Sequence, residues 1–163
     1  MQIRDLMSHP AVTCPTAATL DHAARLMWEF DCGVVPVVDE HGRLTGVVTD
    51  RDICMAAYTQ DKVLGDISVT TAMAKHVIAL RGDETLESAE HLMADNQIRR
   101  LPVLDRDDHV VGVVSLNDMA RLAEASRRIG IDREFVTTIA AVGQPHTDAQ
   151  VRHNLAPLTV TEH

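Results

Sequence analysis

Two stretches decide the fold: Gly46-Val47-Val48-Thr49-Asp50-Arg51-Asp52 and Gly112-Val113-Val114-Ser115-Leu116-Asn117-Asp118. Each reads as an apolar strand that ends in a hydroxyl residue and turns into a helix, with an aspartate three residues after the hydroxyl. The second stretch lies 66 residues after the first. The same offset relates Met7 to Met73, Thr19-Leu20 to Thr85-Leu86, Ala23 to Ala89, Leu26-Met27 to Leu92-Met93, Pro36-Val37 to Pro102-Val103 and Asp39 to Asp105. No gap is needed from Met7 to Asp52. Two copies at so long a period argue for a pseudo-symmetric pair closed on a shared core, not for an open solenoid.

Outward from the motif, each copy carries one pattern. Ala11-Val12-Thr13-Cys14 predicts a short strand stopped by Pro15. Thr19 is suited to cap a helix whose Leu20, Ala23, Ala24, Met27 and Phe30 recur at spacings of three and four; Gly33 is expected to end it. Val34-Val35-Pro36-Val37-Val38 has little polar alternation and predicts a strand covered on both faces. Asp39-Glu40-His41-Gly42 is a turn, Leu44 to Thr49 the next strand, and Asp50 to about Tyr58 a second helix. The order is β-α-β-β-α. Residues 59–71 read as a polar connector with an apolar insert at Val63-Leu64. The second copy then runs through Val77-Ile78-Ala79 (strand), Thr85 to about Asn96 (helix), Leu101-Pro102-Val103-Leu104 (strand), a turn at Asp105-Arg106-Asp107-Asp108, Val110 to Ser115 (strand) and a helix from Leu116 towards Ile129. Gly130 is placed as its C-cap, Asp132 as the cap of a short extra helix from Arg133 to about Val142, and the tail from Gly143 is expected to be disordered.

Composition bounds the function. Of 163 residues 45% are hydrophobic, enough for a core, and formal net charge is −9. That charge argues against a nucleic-acid surface, which needs clustered Lys and Arg. The apolar runs fall far short of the ~20 residues of a membrane helix, and no signal peptide is evident. Cys14, Cys32 and Cys54 lack metal-type spacing and fit reduced thiols in the cytoplasm. The nine histidines are scattered with no zinc pattern, so no metal site is expected. No nucleophile with a base and an orienting group is recognisable, so an enzyme is not expected.

The hydroxyl-x-x-aspartate ends, Thr49 to Asp52 and Ser115 to Asp118, have two readings. One is a helix capping box, although its third position favours the longer Glu or Gln. The other is a ligand site. A helix N-terminus attracts phosphate, and a carboxylate there can accept two hydrogen bonds from a ribose diol. The copies differ in between: Arg51 can neutralise a phosphate where Asn117 can only hydrogen-bond, and Asp50 adds a repelling charge where Leu116 adds none. Two unequal sites are expected, with the Asp118 site dominant and Arg99-Arg100 available to supply missing charge.

The doubled pattern resembles a tandem pair of cystathionine-β-synthase (CBS) domains, a Bateman module of the stand-alone bacterial type. The residues that carry the resemblance are Met7, the Thr19-Leu20 and Thr85-Leu86 helix starts, Val35-Pro36-Val37-Val38-Asp39, Leu101-Pro102-Val103-Leu104-Asp105 and the two motif ends, over roughly residues 1–128. The resemblance implies an α/β (α+β) fold of two pseudo-symmetric β-α-β-β-α repeats packed sheet to sheet, with two clefts between them. The expected division is 1–60 for the first repeat, 61–71 for the connector, 72–129 for the second repeat and 130–163 for the extension. It further implies a non-catalytic sensor of an adenosine-containing ligand (AMP, ADP, ATP or S-adenosylmethionine) that needs no cofactor. Val12, Thr13, Val35, Pro36, Thr49, Arg51 and Asp52 would line one cleft. Val77, Ile78, Leu101, Pro102, Ser115, Asn117 and Asp118 would line the other. Core packing explains Val12, Thr13, Val35, Pro36, Val77, Ile78, Leu101 and Pro102 equally well. The family pairs modules into dimers through their helices, and Met27, Met55, Met93 and Met119 suit such a contact. The alternative is a structural or stress-associated interaction protein of the same fold whose motifs serve only as caps.

Overall fold

The computed structural model describes residues 1–125 and 133–144. Strands β1 (Cys14–Pro15), β2 (Val34–Val38) and β3 (Leu44–Thr49) form one sheet with helices α1 (Leu20–Glu29) and α2 (Asp50–Gln60). After a short helix α3 (Val69–Ala72), strands β4 (Leu80–Arg81), β5 (Arg100–Leu104) and β6 (Val110–Ser115) form the second sheet with helices α4 (Leu86–Asn96) and α5 (Leu116–Ala125). Helix α6 (Arg133–Val142) follows.

The 66-residue offset holds in three dimensions. In each sheet the first strand is parallel to the second, and the second is antiparallel to the third. Val35 faces Val48 as Leu101 faces Val114, and the register slips between Val37 and Val38 as it does between Val103 and Leu104. Helix ends match as well. Asp31 and Gln97 take the left-handed conformation at φ 48° and 52°. The expected stop at Gly33 therefore moves forward, and α1 closes through Asp31 two residues earlier.

Two strand positions differ from expectation. The ladder falls on Cys14–Pro15 and Leu80–Arg81, not on 11–14 and 77–79. A proline is tolerated there because β1 is an edge strand, whose outward N–H has no ladder partner to lose. Strand β2 is buried over four of its five residues, as the lack of polar alternation predicts.

The stretch read as a polar connector contributes to a core. It forms a 3-10 turn at Leu64–Asp66 and then α3, and Ile67 and Val69 are buried among Cys14, Leu20, Val35 and Val48. The N-terminal residues do the same for the other repeat: Ile3 is buried among Leu80, Met93, Leu101 and Val114. Each repeat thus lends its leading segment to its neighbour's sheet. Val69 N donates to Ala18 O and Ile3 N to Glu84 O, both at 3.0 Å. Ala74 pairs with Val47, and Ser8 with Val113, each through two backbone hydrogen bonds. Gly46 and Gly112 permit this approach. A Cβ on Gly46 would lie 2.6 Å from Met73 Sδ and 2.9 Å from Ala74 O, and one on Gly112 would lie 2.5 Å from Met7 Sδ and 2.9 Å from Ser8 O. The pairing of Met7 with Met73 across the repeat has this cause: each fills the space above the other repeat's motif glycine.

The repeats differ on their helical faces. Helix α6 packs against α4 and adds Phe135 and Val142 to the second core. The first repeat instead carries exposed apolar side chains at α1 and α2, with Trp28 89% and Tyr58 81% exposed and Phe30 and Met55 also exposed. Met27, Met93 and Met119 are core residues, so of the four methionines proposed for a helical contact only Met55 is available. The predicted run of the last helix to Ile129, the caps at Gly130 and Asp132 and the tail beyond Gln144 lie outside the described residues.

Candidate functional site

Both motif ends sit where β3 hands over to α2 and β6 to α5. Thr49 is extended, and the chain turns helical at Asp50. Thr49 N donates to Asp52 Oδ2 at 2.9 Å, Thr49 Oγ1 donates to the same oxygen at 2.7 Å, and Asp52 N donates back to Thr49 Oγ1 at 3.2 Å. The second copy repeats this. Ser115 N and Ser115 Oγ donate to Asp118 Oδ2 at 2.8 and 2.6 Å, and Asp118 N donates to Ser115 Oγ at 3.2 Å. Aspartate therefore closes a capping box in both places, despite being shorter than Glu.

Capping uses one carboxylate oxygen in each case, and the other oxygen separates the two copies. Asp52 Oδ1 has no protein partner among the described residues, and Asp52 is half-buried. Asp118 Oδ1 accepts from Arg121 Nη2, one turn along α5, and Asp118 is 6% exposed. Arg121 corresponds by the repeat to Met55, which cannot make that bond.

Charge is also distributed unequally. Arg100, from the second repeat, lies at the first motif. Its Nη2 and Asp50 Oδ2 are each 3.2 Å from where a Cβ on Gly33 would sit. Arg100 thus extends its guanidinium towards the first motif from a strand position that pairs with Ser115 of the second. Asp50 Oδ1 accepts from Arg51 N at 2.8 Å, and the Arg51 side chain is exposed. Asn117, at the matching position, is exposed too.

The remaining predicted residues divide by burial. Val35 and Leu101 have no exposed surface and pair with Val48 and Val114, so packing accounts for both. Pro36 and Pro102 are buried opposite Val47 and Val113. Val12, Thr13, Val77 and Ile78 are half-buried on the extended segments that lead into β1 and β4. A surface depression of about 260 Å³ is lined by Ala24, Met27, Trp28, Asp50 and Ile53 on the outer face of α1 and α2, and none of the predicted ligand residues lines it.

Other reactive groups are accounted for locally. Asp39 and Asp105 organise the two hairpin turns. Asp39 Oδ1 accepts from His41 N and Arg43 N, and Asp105 Oδ1 from Asp107 N and His109 N. The N–H of Arg43 holds the Asp39 carboxyl below its ordinary value, and that of His109 does so for Asp105. Asp105, Asp107 and His109 bring one ligand atom each to within 4.8 Å of one another, a cluster without a zinc-type His spacing. All three cysteines are free thiols. Among the described residues no helix is long and apolar enough to cross a membrane.

Two sheets of this topology, each ending in a hydroxyl-x-x-aspartate helix cap and exchanging leading segments, define a tandem CBS pair. The chain belongs to the CBS domain family, which it matches over residues 3–58 and 64–125. It is 37% identical over 118 residues to the CBS domain-containing protein YhcV of Bacillus subtilis, covering 72% of this chain and 82% of that protein. It is also 34% identical to a homoserine O-acetyltransferase of Methanohalobium evestigatum over 75% of this chain, and spans 24% of that enzyme's length. Among solved structures, the CBS domain pair of protein MJ0100 in complex with 5'-methylthioadenosine and S-adenosyl-L-methionine superposes with a TM-score of 0.71 at 28% identity, covering 78% of this chain and 98% of that one. Hypoxic Response Protein I, with two coordinated zinc ions, gives 0.68 at 26% identity, covering 74% and 98%. CBS pairs of this fold are typically regulatory, non-catalytic modules.

Proposed function

We propose that the protein is a cytoplasmic sensor, a stand-alone CBS pair of bacterial type, that binds an adenosine-containing ligand at the Thr49–Asp52 motif and signals to a protein partner. AMP, ADP, ATP and S-adenosylmethionine are the candidate ligands. The observation that carries the reading is the open Oδ1 of Asp52 at the N-terminus of α2. The capping box holds the carboxylate in place through Oδ2, which leaves Oδ1 to accept a ribose hydroxyl; a hydrogen bond to a charged group contributes roughly 1.5–3 kcal/mol. Thr49, Arg51 and Arg100 surround the same helix start with a hydroxyl and two cations suited to a phosphate. Support also comes from the adenosine compounds held by the MJ0100 pair.

The assembly we propose is a homodimer, with a second copy seated on α1 and α2 of the first repeat. Trp28, Phe30, Met55 and Tyr58 are exposed apolar side chains there, whereas α6 packs against α4 in the second repeat. Ligand binding would act through its differential affinity for two arrangements of the module. Thermal shift with the four adenosine compounds tests the ligand reading. A rise with at least one of them is expected, and no rise with any at millimolar concentration favours the interaction-protein alternative, in which both motifs are caps alone.

A further inference from the structure

We infer that Arg121 is an internal lock that keeps the second motif unoccupied, so that the module carries one ligand per chain, at Asp52. The inference rests on the reading of the motifs as adenosine sites and adds which of the two is used. A ribose diol needs a carboxylate with acceptor capacity facing it. At Asp118 both oxygens are already engaged and the carboxylate is nearly buried. Oδ2 takes two hydrogen bonds from Ser115, and Oδ1 takes the Arg121 guanidinium. The carboxylate is 7% exposed while Arg121 is 70% exposed, so the guanidinium lies on the solvent side of the acid it covers.

A ligand entering there must displace a charged donor before its own hydroxyls, which are neutral donors, can bind. Both kinds of donor make charge-assisted bonds to the carboxylate, but only the guanidinium brings a positive charge, and its displacement by a hydroxyl would leave the nearly buried Asp118 carboxylate uncompensated, so the exchange is unfavourable. At the first motif the matching residue is Met55, which offers no donor, and Asp52 Oδ1 stays open. The lock is one substitution beside a capping box whose hydrogen bonds are otherwise repeated. Ser115 and Asp118 keep the same three capping bonds as Thr49 and Asp52. The second motif is thus structurally intact and blocked by one side chain three residues along its own helix.

The test is calorimetric stoichiometry with AMP and with S-adenosylmethionine on wild type, Arg121→Met and Arg121→Gln. The first variant installs the residue that the first repeat carries. The second retains a polar chain without the charge, in case the apolar one perturbs folding. Wild type should bind one ligand per chain, and both variants two. Adding Asp118→Asn to either variant should return the value to one. Two ligands on wild type, or one on every variant, would overturn the lock while leaving the adenosine reading intact. No binding by wild type or by any variant would overturn both.

Discussion

Replacing Gly112 by alanine tests the exchanged architecture, because the structure says what the added methyl meets. It would lie 2.5 Å from Met7 Sδ, 2.9 Å from Met7 Cγ and 2.9 Å from Ser8 O. The thioether can rotate away. The Ser8 carbonyl cannot, since it accepts from Val113 N at 3.2 Å while Ser8 N donates to Val113 O at 2.9 Å. Relieving the clash therefore moves the N-terminal segment off β6 and drags Ile3 from the second core. Overpacking costs about 1–3 kcal/mol and each lost backbone hydrogen bond about 1 kcal/mol net, against a gain of ~0.4–1 kcal/mol from the stiffer unfolded chain. A net loss of about 3 kcal/mol follows, or roughly 6–12 °C in Tm at this chain length. Scanning calorimetry of Gly112→Ala, Gly46→Ala and the control Gly65→Ala gives the answer, since nothing lies within 4 Å of a Cβ at Gly65. Trimming Met7 to alanine should restore only part of the loss, because the carbonyl contact remains. A Gly112→Ala protein that melts with wild type would refute the exchange of segments.

Three further outcomes are expected. Asp39→Ala and Asp105→Ala should lower Tm near neutral pH, because both carboxyls are held below their ordinary value of 3.8 by turn N–H groups. That contribution is present above the unfolded value and is lost as pH falls through the lower folded one, so the gap between variant and wild type should narrow in acid; a gap that stays constant as pH falls below the ordinary carboxylate value would contradict this. Thiol labelling should modify exposed Cys54 first and Cys14 last, since Cys14 is fully buried and burial raises its pKa; Cys14 reacting as fast as Cys54 in the native protein would be inconsistent with the core described. Trp28→Glu should convert a dimer to a monomer of about 17.9 kDa in light scattering, and a wild-type monomer at micromolar concentration would remove the proposed assembly.

The repeat and the element order were legible because an apolar period and a constant offset survive in sequence whatever the chain does in space. Strand ends were less so. The apolar runs Ala11–Cys14 and Val77–Ala79 suggested strands, but the ladder is set by where β2 and β5 offer parallel partners, at Val37-Val38 and Val103-Leu104. The exchange of leading segments left no local trace: Met7 and Met73 match each other, and nothing in either residue says which sheet it covers. The role of Ile67 and Val69 was hidden in a stretch that is otherwise polar. The preference of a capping box for the longer Glu or Gln did not separate the two readings of the motif, since both aspartates close the box. The expectation that the Asp118 site dominates weighed Asp50 against Leu116, with Arg51 on the other side, and left out position 121, on which the inference about Arg121 rests. The signal was available, because the offset that pairs the motifs also pairs Arg121 with Met55.

Under the proposed function Asp52 does more than cap α2. Asp52→Asn keeps a carbonyl oxygen to accept from Thr49 N and removes the charge, at a cost to the helix of about 0.3–1 kcal/mol. Its melting temperature should therefore stay within a few degrees of wild type, by roughly 2–4 °C per kcal/mol. Calorimetric titration of both proteins with the adenosine compound that gives the largest thermal shift separates the readings. If Asp52 holds a ribose, wild type should bind in the micromolar range, about −8 kcal/mol, and Asp52→Asn at least tenfold more weakly, about 1.4 kcal/mol. Equal affinity for the two proteins, with a large loss of unliganded stability in the variant, would show that Asp52 only caps α2.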